Sequence, residues 1–132
     1  MNRTSVISGI IFILVAITLG AFGAHALKEK LELTQLSSFE VGVKYQMYHG
    51  LALLAVGLGA RQIPFSLKLF NGLIIAGTIA FSMSIYFLAI QEILGVKLSF
   101  LGPITPIGGS VLIIAWIILL IKLIRSKPIS SV

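Results

Sequence analysis

Four apolar stretches dominate this chain, and each is long enough to cross a lipid bilayer, which takes about 20 residues. The first covers roughly 4–27, "TSVISGIIFILVAITLGAFGAHAL", and the others cover about 38–60, 67–90 and 105–124. Hydrocarbon offers a backbone amide no partner, so each run must close its own hydrogen bonds as a helix. The alternation and turn spacing of a membrane β-barrel are missing. The expected fold class is therefore all-α, an integral membrane four-helix antiparallel bundle forming one domain over residues 1–132. Composition agrees: 58% of the residues are hydrophobic and only 11% charged, too few charges to coat a globular surface.

Arg3, the first apolar run and "AHA" at 24–26 imitate a cleavable signal peptide. The run exceeds the usual apolar region of about 7–15 residues, so it reads as an uncleaved first span. Charge then gives direction. Arg3, Arg61, Lys68, Lys122, Arg125 and Lys127 share one side of a four-span topology, with no acid among them. Lys28, Lys30, Lys44 and Lys97 take the other side, together with every acid, Glu29, Glu32, Glu40 and Glu92. The positive-inside rule puts both termini in the cytoplasm. The net charge of +6 is not gathered on a stripe with interleaved aromatics, so no nucleic acid is expected as a partner. The chain has no cysteine, which excludes disulfides, thiolate metal sites, iron–sulfur clusters and cysteine nucleophiles.

Helix ends carry local signals. "SSFE" at 37–40 has the capping-box pattern, with Ser37 as cap and Glu40 reaching back. "TP" at 105–106 places Thr105 as cap and Pro106 in the first turn, and Pro64 stops the second span. Lipid gives helices no hydrophobic reason to associate, so small residues at the interface matter. Ala16, Gly20 and Ala24 on the first span, and Gly72, Ala76, Ala80 and Ser84 on the third, form such ridges. They serve packing within the bundle, and a homo-oligomer seam is the alternative use. Asn71, Thr78 and Ser82 make a second, weakly polar stripe suited to interhelical hydrogen bonds.

The stretch "KYQMYHG", 44–50, places polar groups inside a span. At about 100° per residue, Tyr45, Gln46 and His49 share a face with Gly42 and Leu53, whereas Lys44 points away and extends toward headgroups. Unpaired polar groups in hydrocarbon are costly, so this face bonds to another helix or to a ligand. His25, the other histidine, lies in the last turn of the first span, where positive charge suits the helix dipole. At ~1.5 Å per residue His49 lies about 16 Å below the expected start of its helix. That depth mismatch leaves two separate, individually bonded histidines as the plain reading. In "GPITPIGG", 102–109, a helix start offers free amides to an anion or headgroup, and Gly108 and Gly109 permit close approach; a tight helix start explains the same residues. The ligand-binding candidates are thus His25, Tyr45, Gln46, His49, Thr105, Gly108 and Gly109. No catalytic residue is assigned, since no second acid or base accompanies His49. Haem would need both histidines at one depth, so no cofactor and no metal are expected.

"LGAFGAHAL", "YQMYHGLAL", "FSMSIY" at 81–86 and "TPIGG" at 105–109 occur in order along the chain. Together they resemble the small bacterial membrane proteins of domain of unknown function 423, YgdD-like and YwdK-like, with a eukaryotic relative, transmembrane protein 256. The resemblance implies a four-helix protein of the bacterial plasma membrane and no established activity. Met83 stands where that family is expected to have glycine. The matching positions are His25, Tyr45, Gln46, His49, Ser82, Ser84, Thr105 and Gly108.

The functional expectation is a small multi-pass membrane protein that binds a lipid or other amphiphile at its inward polar face near the outer leaflet, as an accessory or sensing protein. Membrane lipids are then its partners. The alternatives are a purely structural scaffold and a small transporter or proton-coupled exchanger. Intramembrane histidine favours the exchanger, and the missing inverted repeat disfavours it.

Overall fold

The computed structural model describes residues 1–126; Lys127, counted above with the basic side, lies outside the described residues. The first helix runs over Arg3–Phe22 and continues through a π-helical turn, Gly23–Leu27. The second covers Leu33–Leu58 and tightens into a 3-10 turn at Gly59–Gln62. The third is α-helical over Lys68–Thr78, passes through a π-helical turn at Ile79–Met83, and resumes over Ser84–Ile90. The fourth spans Ile104–Arg125. The described residues contain no strand. Three helical segments, Arg3–Leu27, Lys68–Ile90 and Ser99–Arg125, are long and apolar enough to cross a membrane. The second helix, at 26 residues, has the length, but its polar residues dilute its apolarity. Two of them, Gln46 and His49, are buried inside the bundle rather than presented to lipid.

Two helix starts differ from expectation. The second helix begins at Leu33, ahead of Ser38, and its capping box pairs Glu32 with Gln35 rather than Ser37 with Glu40. Ser38 lies within the helix and its hydroxyl donates to the Thr34 carbonyl at 3.0 Å. The apolar run marks only the hydrocarbon-crossing part, and a helix whose polar first turns stand in the headgroup layer extends beyond it. The fourth helix is led in by Pro103 with no side-chain cap. Thr105 instead shares a 2.7 Å hydrogen bond with the Ser84 hydroxyl of the third helix.

Each helix packs against its neighbours in sequence, the first and fourth do not meet, and the backbones of the second and fourth stay apart. Register along the first pair is antiparallel: Asn2 N–H donates to Gly57 O at 2.8 Å, and Gly20 faces Val43. This pair packs backbone to backbone. A Cβ on Gly9 would stand 2.7 Å from Gly50 O and 2.8 Å from Leu54 N, both backbone atoms. At the basic end, Phe12, Leu53, Ile74, Leu112 and Ala115 build one core cluster. At the other end, Leu27, Phe39, Tyr86 and Ala89 build a second, with Met83 packed beside it.

The small-residue ridges are only partly in the interior. Ala16 and Ser84 are buried, Gly20 and Ala80 half-buried, but Ala24, Gly72 and Ala76 are exposed, and nothing lies within 4 Å of a Cβ on Gly72. The third helix instead buries its weakly polar stripe, Asn71, Thr78 and Ser82. For Asn71 and Ser82, hydrogen bonding decides this. Ser5 Oγ donates to Asn71 Oδ1 at 2.9 Å and Ser82 Oγ donates to Gly42 O at 2.8 Å. In hydrocarbon, polar side chains turned outward would lose partners that small apolar ones do not need.

Candidate functional site

The inward face of the second helix splits into two layers. In the first, Gln46 is only 1% exposed. Its Nε2 donates to the Phe12 carbonyl of the first helix at 3.0 Å, and its Oε1 accepts from the Tyr86 hydroxyl of the third at 2.9 Å. One amide thereby ties three helices together. Thr78, which leads into the π-helical turn, has a buried hydroxyl with no partner among the described residues.

The second layer holds His49, one helical turn further. Its Nδ1 stands 2.7 Å from the Tyr45 carbonyl. A carbonyl only accepts, so Nδ1 carries the proton, and Nε2 is left as an acceptor. Trp116 Nε1 of the fourth helix points at it from 3.4 Å, long for a hydrogen bond of this type, which centres near 2.9–3.0 Å. Donor and acceptor thus agree in sense, but the bond is weak.

These two rings line a lateral groove of about 580 Å³ in the gap between the second and fourth helices, together with Tyr45, Phe81, Gly109 and Leu112. Tyr45 and Phe81 rings stack obliquely at 4.9 Å between centroids. Phe81 belongs to the π-helical turn, and Gly108 fixes its position: a Cβ there would come within 2.5 Å of Phe81 N and 2.9 Å of its Cα. The groove is deep in the membrane. Counted from Ser38, where the apolar run of the second helix begins, His49 lies about 16 Å in at ~1.5 Å per residue, near the middle of a ~30 Å hydrocarbon layer.

The structure brings together Tyr45, His49 and Gly109 in the groove, with Gly108 just behind them, and separates the others. Tyr45 is 43% exposed, at the rim rather than inside. Gln46 faces the helix interfaces, Thr105 bonds Ser84 nearer the helix start, and His25 is exposed on the π-helical turn of the first helix. His25 lies at the acidic end of the bundle, so the two histidines do not meet. Sequence reading missed Trp116, Phe81 and Tyr86. Trp116 had a usable signal: tryptophan normally marks the membrane interfaces, and this one sits amid "IIAWIILL".

Fold and surface define a small helical membrane protein with a polar pair lining a side groove. The chain belongs to the family described as "Protein of unknown function (DUF423)", whose model matches residues 19–109. It is 39% identical over 123 residues to a UPF0382 membrane protein of Staphylococcus epidermidis, covering 93% of this chain and 97% of that one. It is 38% identical to the UPF0382 membrane protein YwdK of Bacillus subtilis, covering 93% and 98%, and 43% identical to a relative from Staphylococcus aureus, covering 88% and 91%. No solved structure matches it significantly.

Proposed function

We propose that this protein holds a neutral amphiphile bearing a hydroxyl group in the groove at His49 and Trp116, and serves the bacterial plasma membrane as an accessory or sensing protein with both termini in the cytoplasm. The His49–Trp116 pair carries the reading. A ligand hydroxyl between the rings would donate to Nε2 and accept from the indole N–H. It would replace one 3.4 Å bond with two shorter ones. Trp116 is 39% exposed, so its ring can swing to admit the group. Depth selects a neutral ligand, because an ionic headgroup in mid-membrane is expensive. Tyr45 and Phe81 would flank an apolar body.

Trp116 is the only tryptophan, so fluorescence excited selectively in tryptophan reports this groove. A long-chain alcohol brominated on the carbon next to the hydroxyl-bearing one, titrated into protein in nanodiscs, is expected to quench Trp116 at roughly fivefold lower concentration than its methyl ether, the worth of one net hydrogen bond. His49→Leu should abolish that preference. Equal quenching by alcohol and ether in the wild type would reject the reading.

The scaffold alternative draws on Gln46, whose two polar ends are both satisfied within the bundle. It assigns that residue to packing and leaves the groove unexplained.

A further inference from the structure

We propose a second lipid site: Lys122, at the basic end of the fourth helix, seats the phosphate of an anionic glycerophospholipid from the adjoining leaflet. Lys122 lies where two grooves meet. One, about 590 Å³, runs between Phe65, Ile118 and Arg125. The other, about 490 Å³, runs between Ser66, Lys68 and Gly72. Lys122 lines both. Its ammonium is held 5.5 Å from the centroid of the Phe65 ring, so it stays at the junction instead of extending freely into water as a snorkelling lysine does.

Charge has no internal answer there. Arg3, Arg61, Lys68, Lys122 and Arg125 gather at this end, while Glu29, Glu32, Glu40 and Glu92, the only acids in the chain, all belong to the opposite end. No Asp or Glu side chain of the protein is therefore placed to neutralise Lys122. Depth fits a headgroup phosphate: Lys122 is one turn from the helix end at Arg125, about 5 Å along the axis. Ser66 supplies a further donor. Its Oγ accepts from the Lys68 amide at 3.3 Å, which leaves its own hydrogen for a phosphate oxygen. The outward-facing Gly72, with nothing within 4 Å of a Cβ, leaves a smooth floor where an acyl chain can lie. This accounts for a small residue that the bundle itself does not use.

The test is retention of lipid by the full-length protein. Protein is extracted from nanodiscs of phosphatidylcholine with phosphatidylglycerol of matched acyl chains, and bound lipid is counted by native mass spectrometry. Phosphatidylglycerol is expected to be enriched, and Lys122→Gln to weaken its binding roughly fivefold, the share of one interfacial cation. Arg125→Gln should act in the same direction, and raised salt should act on the wild type, which keeps the test decisive if Lys122→Gln misfolds. Lys44→Gln, at the other end, should leave retention unchanged. Trp116→Phe should also leave it unchanged, which separates this site from the mid-membrane groove. Inorganic phosphate at the same phosphate concentration should not compete. Equal retention of the two lipids, loss of enrichment in Lys44→Gln equal to that in Lys122→Gln, or competition by free phosphate would each overturn the proposal.

Discussion

Gly108→Ala is expected to destabilise the protein by about 1–3 kcal/mol, the usual cost of forcing an extra methylene-sized group into a packed interface. The added methyl would lie 2.5 Å from Phe81 N and 2.9 Å from Phe81 Cα. Those are backbone atoms of a helix and cannot rotate aside, so the third and fourth helices must separate. Gly72→Ala is the control on the third helix. Nothing lies within 4 Å of its new methyl, and alanine gains up to about 1 kcal/mol of helix propensity over glycine. Unfolding the two variants in mixed detergent micelles should move the midpoints in opposite directions. A near-neutral Gly108→Ala would mean that the two helices are not in backbone contact. The same variant should shift Trp116 emission, because Phe81 shares a groove wall with Trp116. Gly108→Ala therefore joins packing to the candidate site, and Gly72→Ala should leave the emission alone.

The four long helices were legible because hydrocarbon imposes a length and a composition on apolar helices, and three of the four are long and apolar enough to cross a membrane. Helix starts were less so. Leu33 to Ser37 are too polar to register as part of a span, yet the capping box at Glu32 and Gln35 shows the helix already formed there. Within the site, angular position placed Gln46 and His49 correctly on an inward face. It did not distinguish them from Tyr45, because a single helical wheel cannot show that the second and fourth helices stand apart there. Tyr45 faces that gap and is therefore at the rim. The ridges were harder still. Spacing by four identifies a face of small residues but not whether a neighbour covers it, and on the third helix the neighbours chose the polar stripe. Trp116 was hidden for a related reason: its partner, His49, is remote in sequence and on a helix it meets only through side chains.

Gln46→Leu is expected to cost about 2 kcal/mol, more than a typical membrane hydrogen bond, whose measured average is about 0.6 kcal/mol. Two effects add. Leucine removes both the bond to Phe12 O and the bond from Tyr86. It also leaves the Tyr86 hydroxyl, on a residue 5% exposed, without that acceptor, and a buried donor stripped of its partner costs about 1–3 kcal/mol. Tyr86→Phe removes the same donor and leaves Gln46 Oε1 unpaired, so it should cost about 1 kcal/mol. The double variant decides between a network and two independent contacts. In the Tyr86→Phe background there is no stranded hydroxyl, so Gln46→Leu should then cost less than it does alone, by about 1 kcal/mol of coupling. Strict additivity of the two substitutions in a micelle unfolding titration would show that the hydroxyl and the amide do not depend on each other. Neither residue lines the groove, so both variants, where folded, should keep the alcohol preference of Trp116 quenching. Loss of that preference in Tyr86→Phe would mean that the interhelical clasp, and not the His49–Trp116 pair, sets the shape of the site.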